Sequence, residues 1–208
     1  MNHEGFALGT VILAAGRSSR MGRPKLLLPW GETTILGHLI ARWERLGAAE
    51  TIVVHGANQD LWAELDRLKF SPNQRVKNRK PSRGMFSSIQ CAASWDGWKP
   101  NLTHFAIVLG DQPHVRENTL MALLELARSN PGKICQPEWN DRPKHPVIIP
   151  RNVFTQLESS TAKDLKEFLH NEKFESARIK SDDPGLNCDI DYPEDYERAK
   201  RMFFSNPG

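Results

Sequence analysis

The chain has 208 residues, of which 39% are hydrophobic and 25% are charged, and this balance excludes a fibrous or disordered protein. Its net charge of +3 is too small to indicate nucleic-acid binding by itself, and no apolar run reaches the roughly 20 residues that a membrane-spanning helix needs. The three cysteines are far apart and odd in number, and Met1–Gly5 has neither the basic residues nor the long apolar run that would predict a signal peptide. These features favour free thiols in a reducing compartment and predict a cytoplasmic protein.

Short apolar runs alternate with amphipathic stretches along the chain, which is typical of a mostly parallel sheet covered by helices. We therefore predict a single-domain α/β fold over 1–208, with a Rossmann-like sheet, helices on both faces and flexible ends at 1–6 and 205–208. In chain order the predicted elements are strand Thr10–Ala15, helix Thr34–Leu46, strand Thr51–His55, helix Asn58–Leu68, strand Arg75–Asn78, helix Gly84–Trp95, strand Phe105–Leu109, helix Glu117–Arg128, strands Lys133–Gln136 and Pro146–Ile149, helices Asn152–Glu158 and Ala162–His170, strands Ala177–Lys180 and Cys188–Ile190, and helix Pro193–Phe203.

The turn after the first strand holds two glycines, two serines and four cations within ten residues. Ligands of open parallel sheets bind beyond the carboxyl ends of the strands, and glycine lets the backbone approach a phosphate closely. Five residues separate Gly16 from Gly22, and no glycine lies two positions after Gly16, so the turn fits neither a Walker A nor a GxGxxG motif. It indicates a phosphate site at which Arg20 and Lys25 supply positive charge. The alternative is a tight turn with exposed cations.

Carboxylates follow the predicted strand Phe105–Leu109 and recur near the end of the chain. Asp111 comes just after that strand, at the same sheet edge as the glycine turn, and Mg²⁺ favours carboxylates together with substrate phosphates. Asp189 and Asp191 would share one face of a strand, where a cation would relieve their mutual repulsion. The alternative role for such aspartates is helix capping.

The stretch Leu13–Gly31, LAAGRSSRMGRPKLLLPWG, resembles the N-terminal signature of nucleotidyltransferases of the molybdenum-cofactor type. Gly110–Pro113, GDQP, and Cys188–Tyr196, CDIDYPEDY, resemble the GDxP and DIDTPEDY motifs of that family. The resemblance runs from about Val11 to Arg198 and implies the nucleotide-diphospho-sugar transferase type of fold. It also implies that the turn wraps a triphosphate, with catalytic roles for three residues and nucleotide contacts from four more. The catalytic residues are Arg20, Lys25 and Asp111, and the further nucleotide contacts are Leu13, Ala14, Ala15 and Gly16.

Two more segments resemble family motifs. In NRKPSRGMFSS the resemblance places Asn78, Gly84, Ser87 and Ser88 near the base and sugar, although a plain helix N-terminus is the alternative. Lys144–Val147 resembles a Gly-His-Pro-Val motif, so His145 is expected to face the acceptor pocket, and Lys144 in place of glycine alters the shape of that pocket. By analogy with related transferases, the metal ligands are Asp111 and Asp191, with Asp189 as the alternative to Asp191.

The resemblance implies Mg²⁺-dependent transfer of a nucleotidyl group from a nucleoside triphosphate to a phosphorylated acceptor, with release of pyrophosphate. CTP and molybdopterin are the favoured donor and acceptor, because LLLPW and GDQP lean towards cytidylyl transfer. The alternatives are guanylyl transfer, a sugar-phosphate or alcohol-phosphate acceptor, and a non-catalytic nucleotide-binding partner of a molybdoenzyme. A molybdoenzyme or maturation protein is the expected protein partner. No nucleic-acid partner is expected, because the basic cluster at 75–83 lacks aromatic residues for base stacking. No membrane partner is expected either, because the chain has no long apolar run.

Overall fold

A computed structural model describes residues 5–16, 18–171 and 174–204 of the chain. Arg17 of the glycine turn, and residues 1–4 and 205–208 of the expected flexible ends, lie outside the described residues. Phe6, which is described, packs against the ring of His104 with 4.7 Å between ring centroids.

The strands in the described residues are β1 Leu8–Ala14, β2 Pro29–Trp30, β3 Thr33–Thr34, β4 Ala48–His55, β5 Arg75–Lys77, β6 His104–Leu109, β7 Ile134–Trp139, β8 Arg142–Pro143, β9 Val147–Pro150 and β10 Ser176–Lys180. Eight of them form one main sheet in the order β10-β7-β9-β6-β1-β4-β5, with β8 beside β7. β1 pairs in parallel with β4 and β6, whereas β9 runs antiparallel to β6 and β7. The register sets Ala14 against His55 and Leu13 against Leu109, so the carboxyl ends of the three central strands meet at one edge.

Helices cover both faces of the sheet, and each face has its own apolar core. The helices are α1 Ile35–Arg45, α2 Gln59–Arg67, α3 Met85–Ala93, α4 Glu117–Ser129, α5 Arg151–Phe154, α6 Leu165–Asn171 and α7 Pro193–Phe204. α1, α2, α4 and α7 pack on one face, and α3, α5 and α6 pack on the other. Leu36, Leu39 and Trp43 of α1 are almost fully buried, and burying each such side chain contributes about 1.5–3 kcal/mol. The predicted α/β class, with a mostly parallel sheet between helical layers, is confirmed.

Capping residues set the starts of α1 and α2. Thr34 caps α1, since its hydroxyl accepts a hydrogen bond from the Gly37 amide at 3.1 Å. Asn58 caps α2 in the same way, through the amides of Asp60 and Leu61. Both predicted helices therefore differ from the observed ones only by their capping residues.

The predicted strand Cys188–Ile190 is wrong. Residues 184–187 form a 3₁₀ turn, and the chain then crosses the carboxyl edge of the sheet in irregular conformation until α7 begins. The Asp183 carboxylate accepts from the Gly185 amide at 2.8 Å and fixes this turn, and Pro193 starts the helix. The Ile190 amide donates to the Asp111 carbonyl in the neighbouring loop at 3.2 Å.

Two other differences are smaller. The predicted helix Asn152–Glu158 is the short helix α5 followed by a 3₁₀ turn at Thr155–Leu157. The pairs β2–β3 and β7–β8 were not predicted, because two-residue strands carry no readable periodicity. No helix in the described part of the chain combines the length and apolar character needed to cross a membrane.

Candidate active site

The glycine turn folds back across the carboxyl edge of the sheet through two short 3₁₀ turns. Ser18 adopts a left-handed conformation with φ 49°, and its hydroxyl accepts from the Lys25 amide at 3.2 Å. Met21 and Leu26 are buried beneath the turn and anchor it to the core. The turn therefore holds Lys25 in a defined place against the sheet edge.

Lys25 lies between two carboxylates from distant parts of the chain. Its Nζ is 2.7 Å from Oδ2 of Asp111 and 3.2 Å from Oδ1 of Asp191. The Lys25 side chain is only 14% exposed, so solvent screens these contacts weakly. Burial acts to lower the pKa of Lys25, but the charges and hydrogen bonds of Asp111 and Asp191 outweigh it and raise that pKa. The ammonium is therefore held in its charged form.

Arg20 completes the charge cluster from the solvent side. Its Nη1 donates to Oδ2 of Asp191 at 3.0 Å, and its guanidinium lies 5.8 Å from the ring centroid of Tyr192. The Arg20 side chain is 62% exposed, and an exposed pair of this kind contributes about 1 kcal/mol or less. Arg20 can therefore turn towards an anionic ligand at little cost.

Asp189 is near the cluster but is used differently. Its Oδ1 accepts from Nε2 of Gln112 at 2.8 Å, and Asp189 is absent from the ion pairs of Lys25. The pKa of Asp189 is raised, mainly by desolvation of its carboxylate and secondly by the negative charge of Asp111, although the residue as a whole is exposed. Because the segment is not a strand, Asp189 and Asp191 do not share a strand face as expected.

A cavity of about 290 Å³ adjoins Lys25 and Asp111 at this edge. Its volume is close to the lower end of pockets that hold small molecules, which run from ~300 to 1,000 Å³. The lining residues come from the end of β1, the glycine turn, the loop before α3 and the end of β6. They are Leu13, Ala14, Ala15, Gly16, Ser18, Lys25, Leu26, Pro81, Gly84, Met85, Ser88, Leu109, Gly110 and Asp111.

Comparison with known proteins places this arrangement in a family. The family described as "MobA-like NTP transferase domain" matches residues 10–177, which includes the glycine turn, Asp111 and the loop before α3. The chain belongs to the MobA-like NTP transferase family.

Three relatives of this MobA-like chain illustrate the similarity. It is 25% identical over 199 residues to the molybdenum cofactor cytidylyltransferase of Escherichia coli strain K12, covering 95% of this chain and 97% of the relative. It is 28% identical over 204 residues to a molybdenum cofactor guanylyltransferase of Rhizobium johnstonii, covering 92% of this chain and 90% of that relative. Rv0371c from Mycobacterium tuberculosis H37Rv, whose structure has also been solved with manganese, superimposes with a TM-score of 0.72 at 26% identity, covering 95% of this chain and 98% of Rv0371c.

Two of the predicted nucleotide contacts of this MobA-like protein lie behind the cavity wall. Asn78 is buried, and its Nδ2 donates to the hydroxyls of Ser87 and Ser88 at 2.9 Å each. Its Oδ1 accepts from the Lys80 amide at 2.8 Å. Asn78 and Ser87 therefore brace the loop before α3, whereas Ser88 and Gly84 line the cavity itself.

His145 lies two residues before β9 and is not among the residues that line the cavity. Its Nδ1 donates to the Ile107 carbonyl at 3.4 Å. Burial lowers the pKa of His145, which favours the neutral ring. The structure thus sets His145 beside β6, and its predicted contact with the acceptor stays a prediction.

Sequence reasoning missed Arg42, which supports the loop that carries Asp111. Arg42 is buried in α1, and it donates to the carbonyl of Pro113 at 3.0 Å and to the carbonyl of Val115. The only signal in the sequence was a charge at a position of the apolar face of α1, next to Trp43. Within the described residues, no group of three or more His, Cys, Asp or Glu side chains converges as a metal site.

Proposed function

We propose that this MobA-like protein transfers CMP from CTP to the phosphate of molybdopterin and releases pyrophosphate. The observation that carries the proposal is the position of Lys25, whose ammonium lies between Asp111 and Asp191 beside a cavity at the carboxyl edge of the sheet. A charged lysine and two carboxylates that meet at this edge suit a reaction on phosphates, which depends mainly on positioning and charge neutralisation.

In the proposed reaction an oxygen of the acceptor phosphate attacks the α-phosphorus of CTP. The bond between the α-phosphorus and the bridging oxygen breaks, and pyrophosphate leaves with the electron pair. Lys25 neutralises the α-phosphate, and the exposed Arg20 holds the leaving pyrophosphate. The acceptor phosphate is ionised near neutral pH, so no general base is needed.

The donor set of the cluster fits a divalent cation. Asp111 and Asp191 each place one carboxylate oxygen within 3.2 Å of the same nitrogen, so the two carboxylates converge on one point. Mg²⁺ is commonly held by one or two carboxylates together with substrate phosphates and water. When bound there, it would supply charge neutralisation on the reacting phosphates. The manganese complex of the relative Rv0371c supports the choice of a divalent metal.

The choice of CTP rests on two supports. The relative named as a cytidylyltransferase aligns over nearly the whole of both chains. The motifs LLLPW and GDQP, which lean towards cytidylyl transfer, are the second support. Because a relative of comparable coverage is named as a guanylyltransferase, guanylyl transfer is the second candidate.

Pyrophosphate release from each of the four ribonucleoside triphosphates, with and without molybdopterin, tests the proposal. Release that requires both CTP and molybdopterin is the expected result. A competition between equal concentrations of CTP and GTP then measures the base preference, for which we expect at least about tenfold in favour of CTP. Preference for GTP would overturn cytidylyl transfer alone, whereas no release from any triphosphate would overturn the proposed activity.

A further inference from the structure

A second groove, of about 470 Å³, lies on the outer side of the loop before α3. The end of β5, this loop, α3 and the turn at 158–160 form its walls. Four of the lining side chains are cations that fall within seven residues of sequence. These are Lys77, Arg79, Lys80 and Arg83. We call this space the basic groove.

The four cations of the basic groove have no carboxylate partner among the described residues. All four are exposed. Their neighbours in the chain behave differently, since Arg67 pairs with Glu64 at 2.7 Å and Arg75 pairs with Asp66 at 2.6 Å. Like charges that lie close together repel, and no ion pair within the described residues offsets the repulsion among these four cations.

Protection of the sheet edge accounts for only one of these charges. Lys77 ends β5, the outermost strand on this side, and lysine on an edge strand discourages pairing with other chains. Arg79, Lys80 and Arg83 lie beyond the strand, where no edge is exposed. Another role is needed for them.

The loop that carries these cations is held firmly. The buried Asn78 side chain binds the Lys80 amide and both serines of α3, and the Asn78 amide donates to the His55 carbonyl at 2.8 Å. The cations are therefore presented from an ordered base. The same loop contributes Pro81 and Gly84 to the active-site cavity, so the basic groove adjoins the entrance to that cavity.

Among the described residues, the lining of the basic groove lacks two features that would favour a phosphate group or a nucleic acid. The Asn78 donors are already used within the fold, so this buried side chain is not available to a phosphate group. No aromatic side chain lines the groove, which disfavours stacking of single-stranded nucleic acid. The remaining lining residues are mostly small and polar, with a single carboxylate from Glu158.

We infer that the basic groove binds an acidic, Asp/Glu-rich segment of a partner protein, which docks beside the active-site entrance. The cations meet the acidic side chains one to one, and the polar wall of α3 faces the backbone of the segment. Binding of this kind is steered by charge and weakens as salt increases. The inference does not depend on the proposed reaction, because it concerns recognition of a protein segment.

The test measures binding of a fluorescein-labelled oligoglutamate peptide of about ten residues by fluorescence anisotropy. The intact chain is expected to bind the peptide, and the double variant Lys77→Glu/Arg79→Glu is expected to bind at least about tenfold more weakly. A matched control is Lys69→Glu/Arg201→Glu, which reverses one exposed lysine and one exposed arginine elsewhere, and it is expected to bind like the intact chain. Circular dichroism of each variant establishes that it is folded.

Turnover assays keep this test separate from the proposed function. Lys77→Glu/Arg79→Glu is expected to retain pyrophosphate release, since neither residue lines the active-site cavity. Absence of peptide binding by the intact chain, or an equal loss in the control variant, would overturn the inference. Binding of tripolyphosphate or oligothymidylate that is tighter than binding of the peptide, and that is lost in Lys77→Glu/Arg79→Glu, would also overturn it.

Discussion

Lys25 forms ion pairs with Asp111 and Asp191 at the point where the two carboxylates would hold a metal ion. The ammonium and a divalent cation therefore compete for the same oxygens. A bound nucleotide would offer Lys25 an alternative anionic partner in its phosphates. The affinity of the site for a metal is consequently expected to depend on Lys25 when no nucleotide is present.

Lys25→Met is predicted to bind Mn²⁺ more tightly than the unaltered protein in the absence of nucleotide, because the competing ammonium is gone. The same variant is predicted to lose turnover by about 100-fold or more, since a positioned charge on a reacting phosphate contributes several kcal/mol. Mn²⁺ titration followed by electron paramagnetic resonance measures the first effect, and pyrophosphate release measures the second. Lys166→Met, at an exposed position, is the control. Unchanged Mn²⁺ affinity in Lys25→Met would refute the competition.

At the scale of the elements, the site depends on how closely the loop at 110–116 lies against β1. A Cβ added at Gly110 would stand 2.6 Å from the Leu13 carbonyl oxygen and 2.9 Å from Leu26 Cδ2. The Leu13 carbonyl belongs to the backbone at the sheet edge, so it cannot move easily to make room for a side chain. Glycine at this position therefore lets Asp111 reach Lys25, and Arg42 holds the far end of the same loop.

Arg42→Met is predicted to lower the free energy of unfolding by about 2–4 kcal/mol. The change removes the donors that Arg42 gives to the carbonyls of Pro113 and Val115, and a buried polar group that loses its partner costs about 1–3 kcal/mol. Urea denaturation measures the loss, and Arg42→Lys, which keeps a charged donor, should recover part of it. If Arg42→Met unfolds at the same urea concentration as the unaltered protein, Arg42 does not support this loop.

The sequence predicted elements well where one periodicity ran for many residues. α1 and α2 were predicted to within their capping residues, since an apolar stripe and a cap marked both. The crossing segment at 188–192 was misjudged, because alternating Asp and Ile imitate the period of a strand. Its actual path is fixed by contacts made across the chain, such as the Ile190 amide with the Asp111 carbonyl, which no local pattern encodes.

The position of the site at the sheet edge was predictable from the sequence, whereas the hydrogen-bond partners of its residues were not. A buried strand followed by a cationic glycine turn, and a second strand followed by Asp111, placed Lys25 and Asp111 at one sheet edge, and the structure brings them together. The separate tasks of Asp189 and Asp191 were not predictable, because they depend on Gln112 and Lys25 as partners. The bracing role of Asn78 was missed for the same reason, since its partners are distant hydroxyls.

At the scale of the whole molecule, buried histidines make the fold sensitive to acid. Burial lowers the pKa of His38 and of His114 from the usual 6.5 to about 4. The unfolded chain takes up protons as the pH falls through 6.5, whereas the folded chain resists them until about pH 4. The unfolded state therefore binds more protons in this window, and stability falls as the pH falls.

The free energy of unfolding is predicted to fall by about 1–2 kcal/mol for each of these two histidines between pH 7 and pH 5. Urea denaturation at both pH values measures the change. His114→Gln should show a smaller pH dependence than the unaltered protein, whereas His170→Gln, at an exposed position, should show the same one. A free energy of unfolding that is constant between the two pH values would contradict this account.

The pairing of Lys25 with Asp111 at the edge of the cavity is the centre of the proposed activity, and Asp111→Asn tests it most directly. The substitution keeps the size of the side chain and removes the charge that would bind the metal. The measurement is the rate of pyrophosphate release from CTP and molybdopterin at saturating Mg²⁺, with Asp182→Asn, whose side chain is 97% exposed, as the control. We predict that the rate of pyrophosphate release falls by about 100-fold or more in Asp111→Asn, whereas Asp182→Asn keeps the full rate. An Asp111→Asn variant that is folded and as fast as the unaltered protein would contradict the account.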